Sequence, residues 1–316
     1  MSFDREALAA AIVAHGPVAR VVVAGVKGSA PREAGAAMLV WAAGSQGTIG
    51  GGALEWQGMA EARTMAPGAP PRVARLPLGP ALGQCCGGAV VLVTEIWDAA
   101  RLAALPEGEV VARPMRPAPM PLAVRRLIAR ARAEGAEAPT RLIGDWLVEP
   151  AARPRRAVWI WGAGHVGRAL VAVIAPLPGF ALTWIDSDAA RFPPATGPAA
   201  APRRLVAARP ADLVARAPRE AEHLVLTYSH ALDLEICHRL LAHGFAGCGL
   251  IGSASKWARF RARLAALGHA EASIARILCP IGDPALGKHP QAIAVGTAAR
   301  LLRRDSADQS ARERAG

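Results

Sequence analysis

The sequence predicts an α/β protein made of an N-terminal mixed α/β domain followed by a doubly wound domain built on a parallel sheet. The chain has 316 residues, about twice the length of a typical domain, so two hydrophobic cores are expected. From residue 157 onwards, short apolar runs alternate with helical patterns, which is typical of a parallel sheet with helices on both faces. The first 112 residues instead combine apolar runs with glycine-rich loops.

The first domain is predicted to span residues 1–112. The continuous apolar run from Val18 to Val26 indicates a buried strand. Residues 53–65 have apolar side chains at helical spacing, so a helix is expected there. Three further strands are predicted at 36–42, 72–78 and 89–97.

Residues 113–156 are predicted to be a basic connector rich in proline and arginine. The segment begins with RPMRPAPMP, whose prolines disfavour regular structure, and a basic amphipathic helix is expected over 122–133. Ten arginines against four acidic residues place half of the net charge of +12 here, outside every motif described below. This location favours a partner-docking surface or a solvated linker over a nucleic-acid groove.

The second domain is predicted to span residues 157–303, followed by a flexible polar tail at 304–316. Ser253 is the expected N-cap of the helix that ends at Gly268. The predicted strands are 158–161, 181–186, 223–228 and 247–251, and the predicted helices are 166–175, 211–215, 232–243, 254–267 and 291–302.

Composition excludes several classes of protein. No run of 18 apolar residues is free of charges and helix breakers, so neither a transmembrane helix nor a membrane partner is expected. The N-terminal residues have no apolar h-region, and five cysteines are an odd number, which together predict a cytoplasmic protein with reduced thiols. The chain has one tyrosine and therefore lacks the clustered aromatic residues on which nucleic-acid bases usually stack, and it has no zinc-finger spacing. No nucleic-acid partner is therefore expected.

A glycine-rich loop opens the second domain. In VWIWGAGHVGRAL, glycines form the pattern G-x-G-x-x-G between a predicted strand and a predicted helix, which indicates a Rossmann-like fold. Gly162 permits a tight turn, Gly164 lets a phosphate approach, and Gly167 lets the helix pack closely. Asp186 stands where a ribose-binding carboxylate is expected, and His165 lies inside the loop. Alternatively, the glycines only allow close packing.

Two further loops follow predicted strands, at the edge where such sheets bind ligands. In TYSHALD, His230 is a candidate acid–base group, with a structural histidine as the alternative. In IGSASK, Ser253 and Lys256 are candidate cofactor contacts. Lys256 could reach a phosphate, and a solvated charge on a helix face is the alternative.

Glycine-rich loops in the first domain supply further candidate cofactor contacts. KGSAPREAGAAM contains Ser29 and Arg32, and a guanidinium suits a bidentate phosphate contact. Glu55, in the first turn of the predicted helix, either binds a ligand or stabilises the helix dipole. In GTIGGGALE, three glycines directly before that helix could form an anion nest: Gly50, Gly51 and Gly52.

The least common signal is LGPALGQCCGG, which places two adjacent cysteines in a glycine loop. Adjacent side chains diverge in extended backbone and C-x-x-C spacing is absent, so a zinc site is disfavoured. Cys85 or Cys86 could instead ligate a soft metal or carry sulfur as a persulfide, with buried apolar cysteines as the alternative. The remaining cysteines are expected in the core: Cys237, Cys248 and Cys279.

The motifs of both domains together resemble one known family, the xanthine dehydrogenase accessory factors (XdhC/CoxI). The matching strings are GSAPREAGAAM, GTIGGGALE, LGPALGQCCGG, WIWGAGHVGRAL, YSHALDLEIC and GLIGSASKWARF, which span roughly residues 20–265 in the family's order. The QCCGG form is similar to the XdhC branch. By that similarity Cys86 takes the position shared by the whole family, and Cys85 is specific to the branch.

The resemblance implies a chaperone that binds molybdenum cofactor in its molybdopterin form, supports its sulfuration and inserts it into xanthine dehydrogenase, without turnover chemistry of its own. Implied partners are the apo dehydrogenase, a cysteine desulfurase and other cofactor-synthesis or molybdenum-inserting proteins; we also expect a homo-oligomer. Cys86 is then the candidate molybdenum ligand, and Gln84 and Glu55 are candidate partners of the pterin edge. The alternative is an NAD(P)-dependent oxidoreductase, which leaves the first-domain motifs unexplained.

Overall fold

Two compact units divide the chain, residues 1–153 and residues 154–314. The computed structural model describes residues 2–79, 87–134, 138–152, 155–177, 179–194 and 202–315, with side chains up to residue 303. The first unit is mixed α/β and the second is built on a parallel sheet, as the sequence predicts. Within the described residues, no helix is both long and apolar enough to cross a membrane.

A five-stranded antiparallel sheet forms the centre of the first unit. Its elements are α1 (Arg5–His15), β1 (Val18–Lys27), β2 (Ala37–Trp41), β3 (Gly44–Gly47), α2 (Gly52–Arg63), β4 (Arg72–Pro77), β5 (Ala89–Trp97) and α3 (Ala99–Ala103), with strand order β3-β2-β1-β5-β4. Val21 and Val23 of β1 pack in a cluster with α2, whereas Val22 and Ala24 pack in another cluster with Leu147. Burial on both faces explains the continuous apolar run in this part of the sequence.

The expected connector, residues 113–156, contains a folded layer of the first unit. A second antiparallel sheet and a helix occupy this region: β6 (Val110–Pro114), α4 (Leu122–Glu134), β7 (Arg141–Ile143) and β8 (Trp146–Pro150), with strand order β6-β8-β7. Helix α4 lies close to its expected bounds of 122–133, whereas the sequence did not predict the three strands. Gly144, with φ +59°, joins β7 to β8, and Leu147 is fully buried beside β1. Burial against the larger sheet, rather than strand periodicity, stabilises this layer.

A buried network of charged side chains joins the two sheets of the first unit. Glu149 of β8 accepts hydrogen bonds from Arg20 of β1 at 2.7 and 3.0 Å and from Arg113 of β6 at 2.6 Å. Arg113 also donates to Glu95 of β5 at 2.9 Å, and Arg101 reaches Glu95 at 2.6 Å. Both carboxylates are fully buried, so each depends on these arginines for its charge balance.

A six-stranded parallel sheet forms the second unit. Its elements are β9 (Arg156–Trp161), α5 (His165–Ile174), β10 (Phe180–Asp186), β11 (Arg203–Val206), β12 (Glu222–Val225), α6 (His230–His243), β13 (Gly247–Leu250), α7 (Ala254–Ala266), α8 (Glu271–Ile274), β14 (Ile277–Leu278) and α9 (Pro290–Ala315). The strand order β11-β10-β9-β12-β13-β14 reverses between β9 and β12, as in a Rossmann fold. Val158 and Ile160 pack with α5 and α9, whereas Trp159 and Trp161 pack with α6 and α7. Helices on both faces confirm the doubly wound architecture.

His223 of β12 should make the stability of the second unit depend on pH. The ring is fully buried, and its Nδ1 accepts a hydrogen bond from Trp161 Nε1 at 3.1 Å. Burial, with a smaller effect from His243, lowers the pKa of His223 to about 3. The unfolded chain takes up this proton near its ordinary pKa of about 6.5, so stability is complete above that pH and falls below it.

We expect His223 alone to lower the unfolding free energy by about 1.4 kcal/mol for each pH unit below about 6.5. Urea titrations of the wild type and of His223→Leu, at about pH 7 and about pH 5, measure this contribution by difference. The leucine variant should lose less stability than the wild type over this interval. Equal losses in the two proteins would show that His223 is not held neutral by the fold.

Candidate functional site

The loop between β9 and α5 carries the three motif glycines of the second unit. Gly162 has φ +120°, and a Cβ there would lie 2.4 Å from the Leu226 carbonyl oxygen. A Cβ on Gly167 would lie 2.0 Å from the Gly162 carbonyl oxygen, whereas one on Gly164 would meet nothing within 4 Å. α5 begins without a side-chain cap, and the His165 side chain beside this opening is exposed. Its first-turn N–H groups are therefore suited to receive an anion.

Asp186, expected to bind a ribose, is held by the backbone of its own unit. Its Oδ2 accepts a hydrogen bond from the Ala163 N–H at 2.6 Å, and its Oδ1 accepts one from the Ser187 N–H at 2.7 Å. Arg191 Nε lies 3.7 Å from Oδ1, and the carboxylate is buried. The side chain thus fixes the shape of the glycine loop and has both oxygens engaged.

The crevice beside this loop is narrow. Its cavity volume is about 10 Å³, close to the minimum that one water molecule requires. Arg191 stacks on the ring of Tyr228 at 4.6 Å. The crevice is lined by Trp161, Gly162, Ile185, Asp186, Ser187, Pro210, Thr227, Tyr228 and Leu232. A nucleotide bound here in the usual Rossmann manner would require the crevice to widen.

The other two loops at this sheet edge begin helices. Ser253 is the N-cap of α7 and its hydroxyl accepts from the Lys256 N–H at 3.2 Å, which confirms the predicted cap. His230 is the first residue of α6, after the N-cap Ser229, and its side chain is exposed. His230 and His165 therefore begin helices that follow the neighbouring strands β12 and β9.

A buried ion pair lies where β12 and β13 end. Lys256 Nζ is 2.7 Å from Asp233 Oδ2 and 2.9 Å from the Ile251 carbonyl oxygen. Thr227 donates to Asp233 Oδ1 through its N–H at 2.9 Å and through its hydroxyl at 2.7 Å. Asp233 is fully buried and Lys256 is 8% exposed. Lys256 is thus engaged inside the unit, which differs from both expectations for it.

Asp233, which lies in the segment TYSHALD, is the member of this cluster to which the sequence assigns no role. The sequence signal for this role is weak. Asp233 is an acidic residue in the first turn of the helix that follows TYS, and Lys256, one of the three lysines in the chain, lies further along the sequence. An acidic residue there is also explained by the helix dipole alone. Only the fold brings Asp233 and Lys256, which lie on different helices, within hydrogen-bond distance.

Replacing Lys256 by methionine should destabilise the second unit by about 3–5 kcal/mol, because Asp233 is left buried without its cation. Urea unfolding followed by circular dichroism measures the loss. Lys288→Met removes an exposed lysine and should change stability by less than about 0.5 kcal/mol. Adding Asp233→Leu to Lys256→Met should recover part of the loss. A Lys256→Met protein as stable as the wild type would contradict a structural role for the ion pair.

Glu55 organises the glycine cluster of the first unit. Its Oε2 accepts from the Thr48 hydroxyl at 2.5 Å and from the N–H groups of Ile49 and Gly51 at 3.1 and 3.0 Å. The Gly50 N–H donates to Thr48 Oγ1 at 3.0 Å. Burial by itself raises the pKa of Glu55, but these hydrogen bonds outweigh it and lower the pKa. These backbone N–H groups therefore bind the carboxylate of Glu55, whereas the sequence predicted that they would bind a ligand anion.

Three motif loops of the first unit meet at one place. A Cβ on Gly88 would lie 2.2 Å from the Ser29 carbonyl oxygen, and a Cβ on Gly50 would lie 2.6 Å from Pro31 Cβ. The Leu78 N–H donates to the Gly88 carbonyl oxygen at 2.7 Å, which closes the base of the loop between those two residues. That loop contains Gln84, Cys85 and Cys86, which lie outside the described residues.

The remaining cysteines are packed in the second unit, as expected. Cys237 and Cys248 are buried and Cys279 is half-buried. A contact with Cys248, together with burial, raises the pKa of Cys237, and burial raises that of Cys279 to about 11. Cys237 and Cys279 are therefore protonated thiols at neutral pH and poor nucleophiles. In the part of the chain that the structure describes, no three histidine, cysteine or acidic side chains converge as a metal site.

Comparisons with known proteins match both units. The family model described as the XdhC Rossmann domain matches residues 158–301, and the one described as the XdhC and CoxI family matches residues 11–76. "Uncharacterized protein YqeB" of Escherichia coli (strain K12) is 32% identical over 155 residues, 48% of this chain and 27% of that protein's length. The match therefore spans little more than a quarter of that relative. A crystal structure from Bacillus halodurans described as a xanthine dehydrogenase shares the fold, with a TM-score of 0.68, 20% identity and 95% of each chain covered.

Proposed function

The chain belongs to the XdhC and CoxI family, and on that premise we propose that it is a maturation factor for a xanthine dehydrogenase. Its cargo is molybdenum cofactor in the molybdopterin form, which the protein binds, protects during sulfuration and inserts into the apo enzyme. The supporting observation is that three glycine loops meet at the base of the loop that contains Cys85 and Cys86. The protein then acts as an accessory factor in the cytoplasm and needs no turnover chemistry on a small metabolite.

The polar groups around that base suit the parts of this cargo. Glu55 Oε1 accepts no hydrogen bond from the described residues, so it can accept from the N–H groups of a pterin edge, together with Gln84. Arg32, whose side chain is 26% exposed, can donate to the terminal phosphate. α2 begins without a side-chain cap, and its first-turn N–H groups can assist Arg32. A Cys86 thiolate is a suitable soft ligand for molybdenum.

We infer that a cysteine desulfurase supplies the sulfur that replaces an oxo ligand of the cargo. Cys86 or its neighbour Cys85 would carry this sulfur as a persulfide. A thiol reductant would then cleave the persulfide S–S bond, forming a disulfide and releasing sulfide, and the displaced oxo ligand would leave as water. The second unit offers a separate anion-binding position at Gly164, with exposed histidines at the start of α5 and α6. Self-association of the protein as a homo-oligomer remains a prediction.

Delivery of the cofactor tests this function. Protein purified from cells that synthesise the cofactor is mixed with apo xanthine dehydrogenase, and xanthine oxidation is followed. We expect activity to develop with the wild type, to fall with Arg32→Ala, and to be retained with Arg75→Ala, which removes an exposed arginine on β4. An apo enzyme that free sulfurated cofactor activates, but this protein does not, would contradict the proposal.

An NAD(P)-dependent oxidoreductase is the alternative, and it makes a different prediction. It leaves the glycine loops of the first unit without a role, and both oxygens of Asp186 already accept hydrogen bonds from the backbone of its own unit. Titrating the protein into NADH while following NADH fluorescence separates the two functions. We expect no saturable change; saturable binding followed by hydride transfer would favour the oxidoreductase.

A further inference from the structure

The open edge of β6 lies in a groove that the proposed function does not use. β6 is an outer strand of the sheet β6-β8-β7. A cavity of about 370 Å³ runs between this strand and α4. Its volume lies within the range of known ligand pockets. The groove belongs entirely to the first unit and is separate from the three glycine loops.

The register of β6 and β8 identifies the backbone groups that face the groove. The Glu109 carbonyl oxygen accepts from the Ala151 N–H at 2.8 Å, and the register pairs residue 111 with 149 and 113 with 147. In an antiparallel pair, residues that exchange hydrogen bonds alternate with residues whose N–H and C=O groups point away. Val110 and Ala112 therefore direct their backbone groups toward the open edge. This edge can accept an additional strand.

The side chains of the groove favour an apolar segment. Val110 and Ala112 face α4, yet both are only half-buried, because the helix leaves this edge of the sheet partly uncovered. Met120 and Ile128 add further partly buried apolar surface to the same cluster. An extended segment lying along β6 could place alternate side chains on this surface while its backbone pairs with Val110 and Ala112.

The charge at the groove favours a basic segment. Glu107 and Glu109 line the cavity, and both side chains are exposed. Among the described residues neither carboxylate forms a salt bridge, although the chain carries 37 basic residues. Arg132 of α4 lines the cavity as well. Because no basic side chain in the described part of the chain pairs with Glu107 or Glu109, these two carboxylates favour a cationic side chain on the bound segment.

We propose that this groove binds an extended segment of a partner protein as an additional strand on β6. The segment pairs its backbone with Val110 and Ala112 and places alternate apolar side chains against α4. A lysine or arginine at its end pairs with Glu107 and Glu109. The site provides a docking contact in the first unit, and its existence does not depend on the cargo carried at the cysteine loop.

Two matched peptides test the proposal with the full-length protein. The probes are acetyl-KVTVK-amide and acetyl-EVTVE-amide, each with a fluorescent label, and binding is followed by fluorescence anisotropy. We expect the basic peptide to bind and the acidic one to bind at least about tenfold more weakly, the equivalent of about 1.4 kcal/mol. The double variant Glu107→Lys/Glu109→Lys should reverse this preference. Amide exchange at Val110 and Ala112 should slow when the basic peptide binds.

Ala112→Pro removes an outward N–H without removing a hydrogen bond to β8, so it should abolish peptide binding while the thermal unfolding midpoint stays near that of the wild type. If this variant is unstable, the charge reversal alone decides. The proposal would be overturned if neither peptide bound. It would also be overturned if peptide binding were unchanged both in the charge-reversal variant and in Ala112→Pro. Concentration-dependent dimerisation lost in Ala112→Pro would assign the edge to a second copy of this chain instead.

Discussion

Replacing Glu149 by glutamine should destabilise the first unit by about 3–5 kcal/mol, because the buried Arg20 then loses its carboxylate and Arg113 keeps only Glu95. Glutamine has nearly the same shape as glutamate, so the loss reports charge rather than a cavity. Urea unfolding, with amide exchange in β5 and β8 as the local probe, measures it. Glu134→Gln is the matched control: it removes an exposed partner of Arg130 and should cost less than about 0.5 kcal/mol.

The same network determines how the stability of the first unit changes as the pH falls. Burial by itself raises the pKa of Glu149, but the charges of Arg20 and Arg113 outweigh it and lower the pKa to about 2. Because the folded pKa lies below that of the unfolded chain, this stabilisation is complete above about pH 4.3 and is lost as the pH falls toward about 2. A Glu149→Gln protein with unchanged stability at neutral pH would contradict the account of the network.

Replacing Gly167 by alanine should destabilise the second unit by at least about 1–3 kcal/mol. The new Cβ would lie 2.0 Å from the backbone oxygen of Gly162, so either the helix α5 or the loop before it must shift. Gly162→Ala should be comparably harmful, since φ is +120° there and the Leu226 carbonyl oxygen lies 2.4 Å away. Thermal unfolding followed by circular dichroism measures both losses.

Gly164→Ala is the matched control within the same motif. Its Cβ meets nothing within 4 Å and its φ is −72°, so we expect a stability change below about 0.5 kcal/mol. The variant should instead weaken the binding of any anion at the start of α5. If Gly164→Ala and Gly167→Ala were equally destabilising, the division of the motif between packing and ligand approach would be wrong.

The architecture of the second unit was predictable because its strong signals are local. Short apolar strands such as residues 158–161 alternate with amphipathic helices, and Ser253 caps its helix as the sequence indicates. β11, with the sequence RRLV, carries no apolar periodicity, since pairing with β10 rather than composition makes it a strand. The stretch at 304–315, expected as a flexible tail, continues α9, because it is rich in good helix formers and contains neither glycine nor proline.

The candidate site was predictable only in part. The glycine motifs located the loops, because their conformational demands are local. The motifs could not show which carboxylates accept hydrogen bonds from the N–H groups of these loops. Asp186 accepts from the glycine loop of its own unit, and Glu55 accepts from the glycine cluster that was expected to bind a ligand anion. Likewise, the buried partners of Lys256 come from another helix and a strand end, which only tertiary structure brings together.

The most direct test of the central claim is the content of molybdenum and pterin in the purified protein. The wild type, Cys86→Ala and Cys279→Ala are each purified from cells that make molybdenum cofactor, and released pterin and metal are measured per chain. We predict both components in the wild type and in Cys279→Ala, and a strong loss of molybdenum in Cys86→Ala. A wild-type protein that carries neither pterin nor molybdenum, or a Cys86→Ala protein with unchanged loading and delivery, would contradict the account.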